Sequence, residues 1–285
     1  MSIKCIGVVG SGSMGTGIAH IAAQSGYEVI LNDVTAQALE RSLGSIAAAF
    51  DKLIAKGKVS EAAKQETIGR IHCTTDLGEM AKTDLVIEAI FENLEVKCEL
   101  MKKLDAICPP ETILSSNTST MSITKMAAVT GRPERFAGLH FFNPATVMRL
   151  VEVIRGYYTS DETIAKLMMV VRSLGKEGIE VKKDTPGFVV NRLMLPQLRE
   201  ACLVYEEGIA SLEDIDKAMT LGLNHPMGPF TLMDYTGIDI AYDSLVYLHS
   251  EFGQSNWAPP QSMKRLIGAK RLGKKTGGKG WYTSK

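Results

Sequence analysis

This 285-residue sequence lacks closely spaced cysteines, net charge and long hydrophobic runs. Its five cysteines are widely spaced and contain no CxxC, which argues against a disulfide framework or a thiolate zinc site. Its five histidines show no HExxH or other ligand spacing, so we expect no metal. Lys and Arg total 32, and Asp and Glu also total 32. This balance excludes a globally basic nucleic-acid-binding protein.

No apolar run approaches the ~20 residues that a membrane helix needs, so no membrane association is expected. The chain enters an apolar strand almost at once, without a signal-peptide pattern, and we expect a cytoplasmic protein with reduced thiols. Hydrophobic residues make up 45% and charged residues 22%, which is near the average for globular proteins. The length suggests about two domains, at roughly 100–200 residues each.

Strand and helix patterns alternate up to about residue 184, and helices alone follow. Helix formers fill residues 35–69 with one break at Lys56-Gly57-Lys58. This pattern predicts an inserted helical hairpin, at about 36–69, that protrudes beyond the sheet. We therefore predict an α/β fold, with a doubly wound sheet in a domain of residues 1–185 and an all-α C-terminal domain of residues 186–285.

A glycine-rich turn follows the first strand and opens a helix. It reads Gly10-Ser11-Gly12-Ser13-Met14-Gly15, a GxGxxG pattern, and Asp33 ends the second strand. Such glycines let the backbone approach a pyrophosphate, whereas the alternative is a purely structural tight turn. We predict a Rossmann-type dinucleotide site formed by Gly10, Gly12, Ser13, Met14, Gly15 and Asp33. A carboxylate at Asp33 suits free ribose hydroxyls and repels a 2′-phosphate, which favours NAD over NADP.

Two polar side chains interrupt apolar strands twelve residues apart. His140 lies within Leu139–Phe142, and Glu152 lies between two valines. A lone histidine in such a stretch is often a core residue, but a buried glutamate is costly without a partner. If the two strands are neighbours, the pair forms a general base and the group that orients it.

Three other candidates each have a simple structural alternative. Residues 115–120 follow a strand, where hydroxyls serve either as turn residues or in a ligand crevice. Asn191 starts the first helix of the second domain and is either a cleft residue or a surface amide. Lys52 and Lys56 are four residues apart on one predicted helix face, which is either solvated or binds a phosphorylated substrate.

Several segments, in order along essentially the whole chain, resemble the L-3-hydroxyacyl-CoA dehydrogenase family. They are Gly10–Ala19, Phe91–Asn93, Ser116–Ser119, Gly138–Pro144, Leu150–Val153, Asp184–Phe188, Asn224–Phe230 and Lys275–Gly277. The size of the chain is similar to that of the short bacterial members. The resemblance implies NAD-dependent interconversion of (S)-3-hydroxybutyryl-CoA and acetoacetyl-CoA, within short-chain fatty acid or butanoate metabolism.

The resemblance also implies roles for individual residues. His140 is the general acid/base, oriented by Glu152, and Ser119 and Asn191 contact the substrate. Lys52 and Lys56 anchor the phosphates of an acyl-CoA thioester. The NAD site gains Glu92, Lys97, Asn117, Asn143 and Lys275. The helical domain is expected to form a homodimer.

Two alternative functions stay open from the sequence. One is a related dehydrogenase of a free hydroxy acid such as L-gulonate. The other is a non-catalytic dinucleotide-binding protein, against which His140, Glu152, Ser119 and Asn191 all argue.

Overall fold

The computed structural model describes residues 3–282, except for the side chain of Lys275. The chain divides into two compact units, residues 1–185 and residues 186–285. Within the described residues, no helix has the length and apolar character needed to span a bilayer.

One sheet forms the centre of the first unit, and residues 3–185 contribute eight strands to it. The strand order is β3-β2-β1-β4-β5-β6-β7-β8. Neighbouring strands are parallel, except that β7 runs antiparallel to β6. The strands are β1 (Cys5–Val9), β2 (Glu28–Asn32), β3 (Ile71–Thr74), β4 (Leu85–Glu88), β5 (Ile113–Ser116), β6 (Phe136–Phe141), β7 (Leu150–Arg155) and β8 (Glu177–Val181).

The central strands are buried along almost their whole length, and every residue of β4, β5 and β6 is buried. Strands that are buried throughout are typical of parallel sheets covered on both faces by helices. The covering helices are α1 (Ser13–Gln24), α2 (Ala36–Ile54), α3 (Glu61–Gly69), α4 (Leu94–Ile107), α5 (Ile123–Ala127) and α6 (Asp161–Ser173). The predicted doubly wound α/β fold is confirmed.

The helical hairpin packs one face of α2 against the core, while exposed residues recur along both of its helices and fill its turn. Ile46 and Phe50 of α2 are buried in the core cluster of the first unit, and the Phe50 ring lies 4.9 Å from the His20 ring of α1. Helix α2 ends in a Schellman-type turn, in which Gly57 has a φ of 65° and its N–H donates to the Ile54 carbonyl at 2.8 Å. Lys56 therefore lies in this turn, and the predicted placement of Lys52 and Lys56 on one helix face is wrong.

The regular elements of the second unit are helices, apart from one isolated bridge between Gly273 and Lys279 among the described residues. Its helices are α7 (Val190–Glu206), α8 (Leu212–Gly222), α9 (Pro229–Thr236), α10 (Ile238–Phe252) and α11 (Gln261–Gly268). Sequence patterns do not predict α9, because its cap comes from another helix. The Asp216 carboxylate of α8 accepts hydrogen bonds from the backbone N–H groups of Phe230 and Thr231, at 2.8 and 2.9 Å. These bonds satisfy N–H groups that a helix start leaves unpaired.

Candidate active site

The glycine turn after β1 forms an open backbone cradle. Gly10 has a φ of 101°, and a Cβ on Gly15 would lie 1.7 Å from the Gly10 carbonyl oxygen. A Cβ on Gly12, in contrast, would meet no atom within 4 Å. Gly12 is the N-cap of α1 and has no side chain to cover the helix start. The turn therefore leaves room at the helix N-terminus for the pyrophosphate of a dinucleotide.

Asp33 follows β2 and is tied to the same turn. Its Oδ2 accepts hydrogen bonds from the backbone N–H and the hydroxyl of Ser11, both at 2.7 Å. Burial favours the neutral carboxyl, but these bonds and those from the N–H groups of Thr35 and Val34 outweigh it and lower the pKa of Asp33. The carboxylate is therefore ionised at neutral pH, as recognition of ribose hydroxyls requires.

His140 of β6 and Glu152 of β7 form a buried pair. The antiparallel register sets them directly opposite each other, and His140 Nδ1 lies 2.7 Å from Glu152 Oε2. Glu152 is fully buried, and His140 is 5% exposed. The Phe142 ring packs 4.4 Å from the imidazole. The structure thus unites the two polar residues that the sequence singled out, with the carboxylate fixing the ring.

Two predicted residues of the loop after β5 are tied to neighbouring strand ends. Asn117 Oδ1 accepts a hydrogen bond from the Phe141 N–H at 2.9 Å, which fixes the peptide next to His140. The Ser119 N–H donates to Glu92 Oε1 at 2.8 Å, and the Ser119 hydroxyl lies 3.3 Å from the same oxygen. Asn117, Ser119 and Glu92 therefore gather at the carboxyl edge of the sheet.

Lys97 lies beneath this edge and is 1% exposed. Its Nζ lies 2.6 Å from Glu88 Oε1 and 3.3 Å from Glu92 Oε2. Glu88 is a residue that the sequence analysis missed. Its signal was present, since a carboxylate at the end of an apolar strand is the same irregularity that singled out Glu152.

A cavity of about 630 Å³ opens beside the glycine turn, a size typical of small-molecule sites. Gly12, Asp33, Asn143, His20 and Arg41 are among the residues that line it. Asn143 Oδ1 lies 3.5 Å from the Ser13 hydroxyl, which brings the loop after β6 to the start of α1. Ser13 and Asn143 therefore lie in the same wall of the cavity.

The remaining predicted residues lie elsewhere. Lys52 and Lys56 are exposed at the far end of the hairpin. Asn191 lies in the first turn of α7, in the second unit, and the side chain of Lys275 is outside the described part of the chain. Their predicted roles stay predictions.

His20 lines the cavity, and its burial can be tested through the pH dependence of stability. It is 6% exposed, its Nε2 has no hydrogen-bond partner among the described residues, and burial lowers its pKa. The unfolded chain binds this proton at its ordinary pKa of about 6.5, whereas the folded chain binds it only at lower pH. The free energy of unfolding should therefore fall as pH drops from about 6.5 towards the folded pKa, and His20 should contribute no slope above that window.

We expect His20→Gln to reduce the loss of Tm between pH 7.5 and pH 5.5, by roughly 2–4 °C for each kcal/mol of linkage removed. Differential scanning calorimetry at both pH values measures this change. His72→Gln, at an exposed position of β3, is the control. An unchanged pH dependence in His20→Gln would show that His20 titrates alike in both states.

A backbone cradle for a pyrophosphate and a buried imidazole–carboxylate pair at the same sheet edge define a dinucleotide-dependent dehydrogenase. Residues 5–185 match the family model of the 3-hydroxyacyl-CoA dehydrogenase NAD-binding domain, and residues 187–284 match that of the C-terminal domain. The chain belongs to the 3-hydroxyacyl-CoA dehydrogenase family.

Similar proteins are found in bacteria and mammals. A probable 3-hydroxybutyryl-CoA dehydrogenase of Bacillus subtilis is 46% identical over 282 residues, which cover 99% of this chain and 98% of that protein. The human mitochondrial hydroxyacyl-coenzyme A dehydrogenase is 45% identical over 291 residues, which cover 99% of this chain and 92% of that protein. The crystal structure of (S)-3-hydroxybutyryl-CoA dehydrogenase PaaH1 from Ralstonia eutropha has a TM-score of 0.96 and 44% identity, and the match covers 100% of both chains.

Proposed function

We propose that this chain interconverts (S)-3-hydroxybutyryl-CoA and acetoacetyl-CoA with NAD. The observation that carries the proposal is the buried His140–Glu152 pair, with its 2.7 Å hydrogen bond. Membership of the family supports a 3-hydroxyacyl-CoA substrate. Relatives named 3-hydroxybutyryl-CoA dehydrogenase, such as one from Clostridioides difficile at 40% identity, support a four-carbon acyl group.

In the oxidative direction, His140 Nε2 removes the proton of the 3-hydroxyl, and in the reductive direction the imidazolium returns it. Glu152 accepts the Nδ1–H bond and stabilises the imidazolium, which keeps Nε2 directed at the substrate. Such general acid/base assistance is typically worth ~10²–10⁴-fold in rate. The nicotinamide, when bound, supplies or accepts the hydride at carbon 3.

Hydrogen-bond donors stabilise the charge that develops on the reacting oxygen. The Ser119 hydroxyl is one proposed donor, since its loop is fixed to Glu92 at the edge of the sheet that also holds His140. Asn191 is the second, on the strength of the family resemblance alone.

The preference for NAD over NADP rests on Asp33. A carboxylate whose pKa is lowered stays ionised at neutral pH, and it would repel the 2′-phosphate of NADP. Glu92, Asn117, Asn143 and Lys275 complete the proposed NAD site, and Lys97 supports it through Glu92, whose Oε2 lies 3.3 Å from Nζ.

The proposed CoA anchor is the pair Lys52 and Lys56 at the end of the hairpin. We expect Lys52→Ala with Lys56→Ala to raise the KM for acetoacetyl-CoA roughly 2- to 30-fold, because two exposed ion pairs with phosphate are lost. The KM for NADH and kcat should change little. Lys102→Ala with Lys103→Ala removes the same charge from exposed positions of α4 and is the control. Equal KM values in both double variants would remove the hairpin lysines from the CoA site.

A homodimer through the second unit and a cytoplasmic location are further parts of the proposal. Support for the homodimer comes from large apolar side chains that the second unit exposes, a feature typical of interaction surfaces. They include Leu193, Leu221, Leu223, Ile240 and Val246.

Steady-state kinetics test the proposed reaction. We expect oxidation of NADH that depends on acetoacetyl-CoA, a lower kcat/KM with NADPH and a lower kcat/KM with longer 3-ketoacyl-CoA thioesters. Activity with L-gulonate and NAD but not with thioesters would favour a free hydroxy acid. NADH binding without turnover of any of these substrates would favour a non-catalytic protein.

A further inference from the structure

Glu88 is a fully buried carboxylate at the carboxyl end of β4, and the proposed chemistry does not use it. Its Oε1 accepts hydrogen bonds from the Ile90 N–H at 2.7 Å and from Lys97 Nζ at 2.6 Å. Its Oε2 accepts one from the Ser116 hydroxyl at 2.5 Å. Both oxygens therefore act as anchors for neighbouring segments.

A contribution to fold stability does not by itself explain the Glu88–Lys97 pair. Two buried charges lose their hydration, and well-packed apolar side chains of similar volume often stabilise a fold as much or more. Removing one partner alone is costly, because the other charge stays buried. A reason for the pair must therefore lie in what it holds in place.

Lys97 has its hydrogen-bonding capacity filled by protein atoms. An ammonium has three N–H donors. Three acceptors lie near Nζ: Glu88 Oε1 at 2.6 Å, the Ile90 carbonyl at 3.2 Å and Glu92 Oε2 at 3.3 Å. Lys97 is also 1% exposed, so in this arrangement it acts on a ligand through Glu92 and not by direct contact.

Two paths lead from Glu88 to the same loop. The first runs through Lys97 to Glu92, whose other oxygen accepts the Ser119 N–H at 2.8 Å. The second runs through the Ser116 hydroxyl, which accepts the Thr118 N–H at 3.1 Å. Both therefore end within residues 118–119.

We propose that Glu88 is a positioning residue of the active site, which sets the location of Ser119 and Glu92 through Lys97 and Ser116. The part of this inference that concerns Ser119 rests on the proposed function. The part that concerns Glu92 rests on the predicted NAD site. The expected effect is on binding and rate together, because a group displaced by about 1 Å can cost up to ~10²-fold.

The test compares Glu88→Gln, Lys97→Met and the double variant. Glu88→Gln leaves Lys97 with Glu92 alone, and Lys97→Met leaves Glu88 without its charged partner, so both single variants should lower the Tm. The double variant removes both charges and should recover most of that loss. It should still show a kcat/KM for acetoacetyl-CoA on the order of tenfold lower and a raised Kd for NADH, measured by fluorescence. A double variant with recovered Tm and wild-type kinetics and Kd would overturn the proposal.

Ser116→Ala and Ser115→Ala give a second test that involves smaller changes. Both serines are fully buried on β5, but the Ser115 hydroxyl donates to the Val86 carbonyl at 2.8 Å, whereas the Ser116 hydroxyl donates to Glu88. We expect Ser116→Ala to lower kcat/KM several-fold while Ser115→Ala leaves it near wild type. Equal kinetics in the two variants would contradict the path through Ser116, even if the charge variants fail to fold.

The two proposals fail in different ways. If the wild-type protein does not turn over acetoacetyl-CoA, the proposed function fails, whereas a raised Kd for NADH in the double variant still supports the role of Glu88. If the wild type is active, the pH profile of kcat in the double variant should match it, because His140 and Glu152 are untouched. An altered profile would indicate general disruption and would contradict a role confined to Ser119 and Glu92.

Discussion

His140→Asn should lower kcat by about 10²–10⁴-fold while NADH binding stays near that of the wild type. The asparagine amide can take the place of imidazole Nδ1 and donate to Glu152, so the buried carboxylate keeps a partner. The variant has no group that exchanges a proton with the 3-hydroxyl at neutral pH. Stopped-flow and steady-state oxidation of NADH with acetoacetyl-CoA measure the loss, and fluorescence titration measures the Kd for NADH.

Two controls make the His140 result specific. His72→Gln changes an exposed histidine on β3 and should leave kcat unchanged. The Tm of His140→Asn should show that the fold is intact, because the change keeps one hydrogen bond to Glu152. Turnover of His140→Asn within threefold of the wild type would remove His140 from the mechanism.

Gly12→Ala should weaken NADH binding, whereas Gly15→Ala should destabilise the fold, although both add one methyl group to the same turn. At Gly12 the new Cβ meets no protein atom within 4 Å, so the Tm should hold. The methyl group would occupy the space needed for close approach of a pyrophosphate, and the Kd for NADH should rise by tenfold or more, on the order of 1.4 kcal/mol. Calorimetry and NADH titration separate the two effects.

At Gly15 the new Cβ would lie 1.7 Å from the Gly10 carbonyl oxygen, and the atom in the way is backbone. The turn must shift, and we expect a lower Tm or an insoluble protein, in line with overpacking penalties of about 1–3 kcal/mol or more. Tight NADH binding by Gly12→Ala would show that the dinucleotide does not approach this turn.

Local sequence patterns predict much of the fold. Short apolar runs between clear breaks predict strands at residues 28–32, 71–74 and 113–116, and the structure has strands with these bounds. The GxGxxG turn and Asp33 were likewise readable, since their spacing along one strand–helix–strand unit defines the motif. The pairing of His140 with Glu152 needed one further condition, the adjacency of β6 and β7, which no local pattern states.

The residues that sequence reasoning missed depend on contacts between distant segments. Helix α9 begins at Pro229 because Asp216, on another helix, caps it. Glu88 is recognisable as an anchor only in the folded structure, where Lys97 of α4 and Ser116 of β5 donate hydrogen bonds to its carboxylate. Likewise, the break at Gly57 lies where the sequence predicts it, but Lys56 falls outside α2 because the helix already ends at Ile54, in the turn that the left-handed Gly57 closes.

Because β7 runs antiparallel to β6, its register constrains any homologue or design built on this sheet. Residues 142–149 join the two neighbouring strands and carry Asn143 into the wall of the cavity. The register of β7 is constrained as well, because sliding the strand by a single residue turns Glu152 to the opposite side of the sheet. An insertion or deletion in this connection is therefore compatible with the pair only where the odd–even alternation opposite His140 is preserved.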